Sequence, residues 1–375
     1  EFQGEWEKCK LEDVMNFSTT RINSSELNED NYVSTENMLQ DYQGIMEAKS
    51  VPEDVNVISY SCGDILISNI RPYLKKVWKA TFNGGCSSDV FVLKANDNIE
   101  SDYLHYVIAN DKFINFVMSG AKGVKMPRGD KKQMKTYSLS LPQIQEQKKI
   151  GKMLSLLDER IATQNKIIED LKKLKCAIID YTIDSIQADY TEFETMYVAA
   201  GEGGTPSTSK KEYYEDGRIP FVKIEDLKQK YLVSNKDYIT ELGLQKSSAW
   251  LIPTNSILFS NGATIGEISI TTYPVCTKQG ILGIVPKADI DTEYLYYLMS
   301  SRYFKKEICR IITEGTMKTA YLKDINKIRC PIPSKAVQQE IVRIPSALNT
   351  KIETEQSILN KLICQKQYLL RQMFI

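Results

Sequence analysis

The 375-residue sequence predicts an α+β protein: two pseudo-symmetric globular domains separated by a pair of long coiled-coil helices. Three observations predict it. A stretch that begins at Pro142 returns, altered, at Pro333. Short apolar strands alternate with amphipathic helices in both halves. The returning stretch carries apolar residues at 3,4 spacing over many turns, the signature of a helical seam.

The first half, residues 1–141, holds strand-like runs at "DILISNI" and "VFVLKA". "SDYLHYVIANDKFINFVMS" follows with helical apolar spacing and Ser101 as its cap. The first long helix occupies 142–187. In the second half, 188–332, "SILFS", "EISITT" and "LGIVP" read as strands, and "DTEYLYYLMSSRYFKKEICRII" reads as a helix behind Asp291 or Thr292. The second long helix occupies 333–375.

The repeat is in register over 42 positions, Pro142 to Ile183 against Pro333 to Phe374, with ten identities that include Gln147/Gln338, Ser155/Ser346 and Lys175/Lys366. Upstream, "CGDILISN" parallels "TNSILFSN" and "SDYLHYVI" parallels "TEYLYYLM". Leu154, Leu157, Ile161, Ile168, Leu171 and Ile178 form the first seam. Leu348, Ile352, Leu359, Leu362 and Leu369 occupy matching sites in the second. Polar residues interrupt both seams at Gln164/Glu355 and Lys175/Lys366, where they fix register and partner choice. The bland alternative is that each helix packs on its own domain; the matched interruptions favour helix on helix. Gly151 and Pro345 predict a break near each start, leaving main helices of about 29 residues and about 44 Å. A second stripe, Ile167, Leu171, Leu174 and Ile178, widens the apolar face.

Composition narrows the function. Apolar residues make up 42% and charged residues 26%, an ordinary globular balance, and no run of about 18 apolar residues predicts a membrane span. The sequence opens on Glu1 with no visible signal peptide. Eight scattered cysteines without a CxxC, and a single histidine, argue against a metal site and for reduced thiols packed mostly as small hydrophobes in a cytoplasmic protein. There is no phosphate-binding GxxxxGK[ST], no GxSxG, no glycine-rich cofactor loop after a strand and no Asn/Asp-Pro-Pro-aromatic tetrapeptide. His105 reads as a packed imidazole and the acidic residues as solvated faces, so the chain reads as a binder without an active site.

Basic residues balance acidic ones, 48 to 48, so nucleic-acid binding needs local clusters. One lies between Ala121 and Thr136. Lys122, Lys125, Arg128 and Lys131, among six cations, sit with Gly123, Pro127 and Gly129, a cationic loop suited to phosphate oxygens and guanine edges. Ser68, Asn69, Arg71 and Lys75 precede it, at the place matching Ser260 and Asn261. In the second half, "EGGTPSTSKKEYY" offers Thr205, Ser207, Lys210 and Lys211 on a forced turn. Lys278, Gln279 and Lys318 complete the candidate DNA contacts. For each loop a plain solvated surface is the competing reading.

Two variable domains alternating with two similar helical segments, introduced by "LPQIQEQ" and "IPSKAVQQE", with "GDILIS" in the first domain and "GGTPS" opening the second, resemble the specificity subunit of type I restriction-modification enzymes. The resemblance spans nearly the whole chain; Val337 and Pro345 depart from the usual second segment. It implies a non-catalytic reader of double-stranded DNA. Each variable domain recognises one half of a split, asymmetric site, and the helices pack antiparallel as spacer and docking rail for two methylation subunits. A motor-nuclease restriction subunit joins for cleavage. It also implies no cofactor on this chain, with S-adenosylmethionine held by the methylation subunits. Two readings compete. A self-contained DNA-modifying enzyme would turn over unaided, and a coiled-coil scaffold binding only proteins would lack salt-dependent DNA affinity.

Overall fold

In a computed structural model, residues 6–262, 264–312 and 319–374 are described; Lys318 lies outside them. The chain divides into two compact units: Glu1–Lys166 with Ser357–Ile375, and Ile167–Gln356.

In the first unit, strands β1 (Met15–Phe17), β2 (Ile65–Ser68), β3 (Val77–Lys79) and β4 (Val90–Ala95) form an antiparallel sheet ordered β1-β4-β2-β3. All four residues of β2 are buried, so the run is apolar rather than alternating. Helices α1 (Ser101–Ile108) and α2 (Asp111–Ser119) cover one face. The sequence reads these as one helix. Asn110 divides them, because its side chain accepts from the Lys112 backbone N–H and caps a new helix. The cap of α1 is Glu100, not Ser101.

The second unit repeats this plan. Strands β5 (Tyr197–Glu202), β6 (Tyr231–Leu232), β7 (Ile257–Ser260), β8 (Ile268–Thr271) and β9 (Ile281–Pro286) form a sheet ordered β5-β9-β7-β8-β6, with β6 parallel to β8. Ile65 faces Leu93 across the first sheet, and Ile257 faces Ile284 across the second. The single predicted helix again divides, into α4 (Thr292–Ser300) and α5 (Arg302–Ile311), where the Ser301 hydroxyl caps the second piece. Asp291 caps α4, as expected.

The long helices are α3 (Ile144–Asp184) and α6 (Lys335–Met373). They contribute 41 and 39 residues, or about 62 and 58 Å at about 1.5 Å per residue, not the 29 expected. Both helices run uninterrupted through Gly151 and Pro345. Gly151 is buried inside α3, where a Cβ would meet the Asp102 Cβ at 2.7 Å and the Tyr103 backbone nitrogen at 3.2 Å; the glycine serves close approach. Pro345 is accommodated within α6 as a buried residue; the missing N–H gives up one helical bond there.

Each unit contains a stretch of both long helices, and in each the pairing is antiparallel. In the first, Ile150 and Leu154 share a core with Leu369, Leu370, Met373 and Phe374, while farther along α3 Asp158 pairs with Lys366 at 2.5 Å. In the second, Lys175 Nζ bonds Asn349 Oδ1 at 3.1 Å, and farther along Ile183 joins Ile341 and Val342. As α3 advances, α6 recedes. Of the predicted seam, Leu154, Ile168, Ile352, Leu359 and Leu362 are buried. Leu157, Ile161, Leu171, Ile178, Leu348 and Leu369 are half-buried. Gln164 and Glu355 are both buried polar interruptions.

Each helix is fixed to its domain by the same glutamine. Gln147 accepts from the Glu100 backbone N–H at 2.8 Å and donates to the carbonyls of Pro142 and Asn98. Gln338 accepts from the Asp291 N–H at 2.7 Å and donates to the carbonyls of Pro333 and Asp289. Both are 1% exposed. Tyr103 and Tyr294 add a second matched tie, donating to the carbonyls of Ser140 and Pro331.

The cysteines depart from expectation. Cys86, Cys276 and Cys330 are buried, and burial pushes their thiols up to about 12, 11 and 12. Cys62, Cys176, Cys309 and Cys364 are exposed; the last three lie on helix faces whose opposite sides already supply the core. No helix among the described residues is long and apolar enough to cross a membrane.

Candidate nucleic-acid interface

The loop predicted to be cationic is strapped to the segment that follows β2. Arg71 donates its backbone N–H to the Pro127 carbonyl at 2.8 Å, Gly129 donates to the Asn69 carbonyl at 2.8 Å, and Lys122 and Arg128 exchange backbone bonds. Arg71 holds a left-handed backbone, φ 49°, which turns the chain sharply beneath this strap. The strap brings the segments that carry Arg71, Lys122, Lys125 and Arg128 together, and all four side chains are exposed. Arg128 is tethered to Asp89 at 3.3 Å and Lys122 to Asp130 at 3.6 Å. These exposed pairs are weak and exchangeable, so a phosphate can replace the carboxylates. Val124 and Met126 stand exposed at the tip between the cations. The sequence reading passed over both; apolar residues between glycine and lysines were the available signal.

Other predicted contacts have internal roles. Lys75 pairs with Asp111 at 2.8 Å. Lys131 lies over the rings of Phe91 at 4.6 Å and Phe17 at 5.1 Å, and burial lowers its ammonium below the usual lysine range. Ser68 and Asn69 are buried, as are Ser260 and Asn261. Their backbones hold loops together: Asn69 donates to Asp89 and Asn261 to Gly280, and each accepts from the covering loop, through Gly129 and Ala320. These four seat the loops and do not reach outward.

In the second unit the structure joins two predicted loops. Gln279 donates its backbone N–H to Thr205 Oγ1 at 3.4 Å, and Gly280 to Glu202 Oε1 at 3.0 Å. Gly203 permits this approach, since a Cβ would stand 2.3 Å from the Thr277 carbonyl oxygen. Ser207, Lys210, Lys211, Lys278 and Gln279 are exposed around this junction. Lys210 covers the Tyr213 ring at 5.3 Å and Lys211 pairs with Glu215 at 3.9 Å.

Acidic residues depart from their predicted solvated places: Asp64 is buried and Glu293 is half-buried. Glu293, in the first turn of α4, faces the buried ammonium of Lys230 at 2.8 Å. Burial lowers Lys230 below the ordinary lysine value. Burial alone raises the Glu293 carboxyl, but hydrogen bonds from Lys230, Ser346 and Tyr231 outweigh it and hold the group below its usual value. The sequence carried no signal of this pair, since its members lie far apart in the chain.

Comparison with known proteins places this arrangement. The model of the type I restriction modification DNA specificity domain matches twice, over residues 3–173 and 197–363. The specificity subunit of the type I restriction enzyme MjaIX from Methanocaldococcus jannaschii is 31% identical over 156 residues, covering 41% of this chain and 36% of that protein. The EcoR124I/EcoR124II specificity subunit from Escherichia coli is 28% identical over 212 residues, covering 53% of this chain and 52% of that protein. The chain therefore spans about a third and about half of these relatives' lengths. In fold it is similar to the crystal structure of the type I restriction-modification S subunit from M. genitalium, with TM-score 0.63, 16% identity and coverage of 99% of this chain and 96% of that one. With both halves matched, this chain belongs to the type I restriction modification DNA specificity family.

Proposed function

We propose that the chain is the non-catalytic specificity subunit of a type I restriction-modification complex, reading a split, asymmetric site on double-stranded DNA. One observation carries this reading: a single scaffold, fixed by Gln147 in one half and Gln338 in the other, displays different exposed polar loops in each. Residues 1–141 and 188–332 are the two reading heads; 142–187 and 333–375 are the spacers. Arg71, Lys122, Lys125 and Arg128 meet phosphates and base edges in one half-site. Ser207, Lys210, Lys211, Lys278 and Gln279 do so in the other. The complex works in the cytoplasm.

Two methylation subunits dock on the helices and carry S-adenosylmethionine; restriction subunits join them. In support, Ile167, Leu174 and Tyr181 recur at heptad spacing on one exposed face of α3, at 40%, 48% and 77% exposure, more apolar surface than a solvated helix face presents.

The helices set the spacing between half-sites. Inserting one heptad between Leu154 and Ile178, with a matching heptad between Leu348 and Leu369, adds about 10 Å of helix, or about three base pairs. Mapping methylated adenines in a host that carries the variant with its methylation subunits should return the same half-sites about three base pairs farther apart. An unchanged spacer contradicts the assignment.

A further inference from the structure

We infer that Lys230 is a positioning residue that locks the second reading head onto α6 and so confines the spacing between half-sites to one value; this rests on the DNA-reading assignment above. Lys230 immediately precedes the edge strand β6 and is 4% exposed. Its ammonium donates to three acceptors: Glu293 Oε2 at 2.8 Å, Ser346 Oγ at 3.0 Å and Tyr297 OH at 3.1 Å. That satisfies all three of its protons. Tyr231 and Ser346 donate in turn to the Glu293 carboxylate, and the Tyr297 and Tyr231 rings flank the charge at 4.7 and 5.0 Å. The network thus joins the sheet edge, α4 and α6, the last through the residue that follows Pro345.

Stability does not account for this arrangement. Withdrawing an ion pair from water offsets much of its attraction, and well-packed apolar residues often do as well or better. The best-attested role for such a pair is to specify one geometry among several of similar energy. Here the selected geometry is the angle of head on helix. An apolar joint slides; a lysine with three fixed acceptors does not. A displacement of about 3.4 Å at the head, one base-pair step, is enough to admit a neighbouring spacer. In the first unit the corresponding carboxylate, Asp102, pairs with Lys79, whose side chain is 27% exposed against 2% for Lys230, so the buried ammonium is particular to the second head.

The test combines Lys230→Met with Glu293→Leu in the complex with its methylation subunits and reads both Tm and the map of methylated adenines. The expected result is an unchanged or higher Tm, unchanged half-site bases, and more than one spacer length. A folded double variant that keeps one spacer overturns the inference. Should the double variant fail to fold, Ser346→Ala removes one acceptor at a half-buried hydroxyl and is mapped instead: broadened spacing supports the lock, and single spacing overturns it. A wild-type complex that marks no split site defeats the DNA-reading assignment and the lock together; a split site in wild type with unaltered spacing in the variants defeats the lock alone.

Discussion

The two halves share one skeleton but differ in the chemistry of their joints. Gln147 and Gln338 make the same three bonds to corresponding backbone groups. Beside them the side chains diverge. In the first unit, Asp158 of α3 accepts from Tyr106 at 2.8 Å and pairs with Lys366. In the second, Asn349 stands at the position of Asp158 and Lys175 at that of Lys366, bonded at 3.1 Å; the most deeply buried cation of this unit's joint is Lys230, paired with Glu293. Backbone seating is the invariant part of this duplicated architecture. The side-chain electrostatics of each joint differs while the backbone seat is the same.

Breaking the shared part should give the largest effect, and an equal one in both halves. Gln147→Leu and Gln338→Leu each strand one buried N–H and two carbonyls, costing about 3–4 kcal/mol, or about 10 °C of melting temperature for units of this size. Calorimetry of the two variants checks this; a loss confined to one half would show that the seats are not equivalent.

A smaller effect should separate the halves. His105 lies in the first unit with its Nδ1 enclosed and unpartnered, where Tyr296 occupies the matching place in the second. Burial, then the nearby Lys366, lowers its pKa to about 4. The folded value is depressed, so the neutral ring's contribution is complete above the unfolded value of about 6.5 and is lost as pH falls through about 4. The loss is at most about 3 kcal/mol, at 1.36 kcal/mol per unit. His105→Tyr should flatten the stability profile between pH 6.5 and 4 relative to wild type, measured by denaturant titration at several pH values. An unchanged slope would place the acid sensitivity elsewhere.

The repeat, the helical seam and the strands around Ile65 and Ile257 were legible because apolar periodicity is set by burial of one face, and burial leaves its pattern in the order of residues. The loops that carry Lys122, Lys125 and Arg128 were legible as cationic turns. What was hidden depended on partners remote in sequence. Gly151 and Pro345 signal breaks by local propensity, yet the close approach of Asp102 and the burial of Pro345 overrule it. Ser68, Asn69, Ser260 and Asn261 look like surface groups by residue type but are buried, and the backbones of Asn69 and Asn261 bond to neighbouring loops. Lys75 and Lys131 are drawn from solvent by Asp111 and by two phenylalanine rings. Lys230, in the polar run "LKQKYLVSNK", resembles a solvated loop lysine until Glu293 is brought beside it.

The most direct test of two independent reading heads on one duplicated frame replaces residues 188–332 with the corresponding segment of another family member. Methylated adenines are then mapped genome-wide in a host that supplies the methylation subunits. The account predicts that one half-site changes while the other half-site and the spacer stay as they were; a change in both half-sites, or in neither, would contradict it.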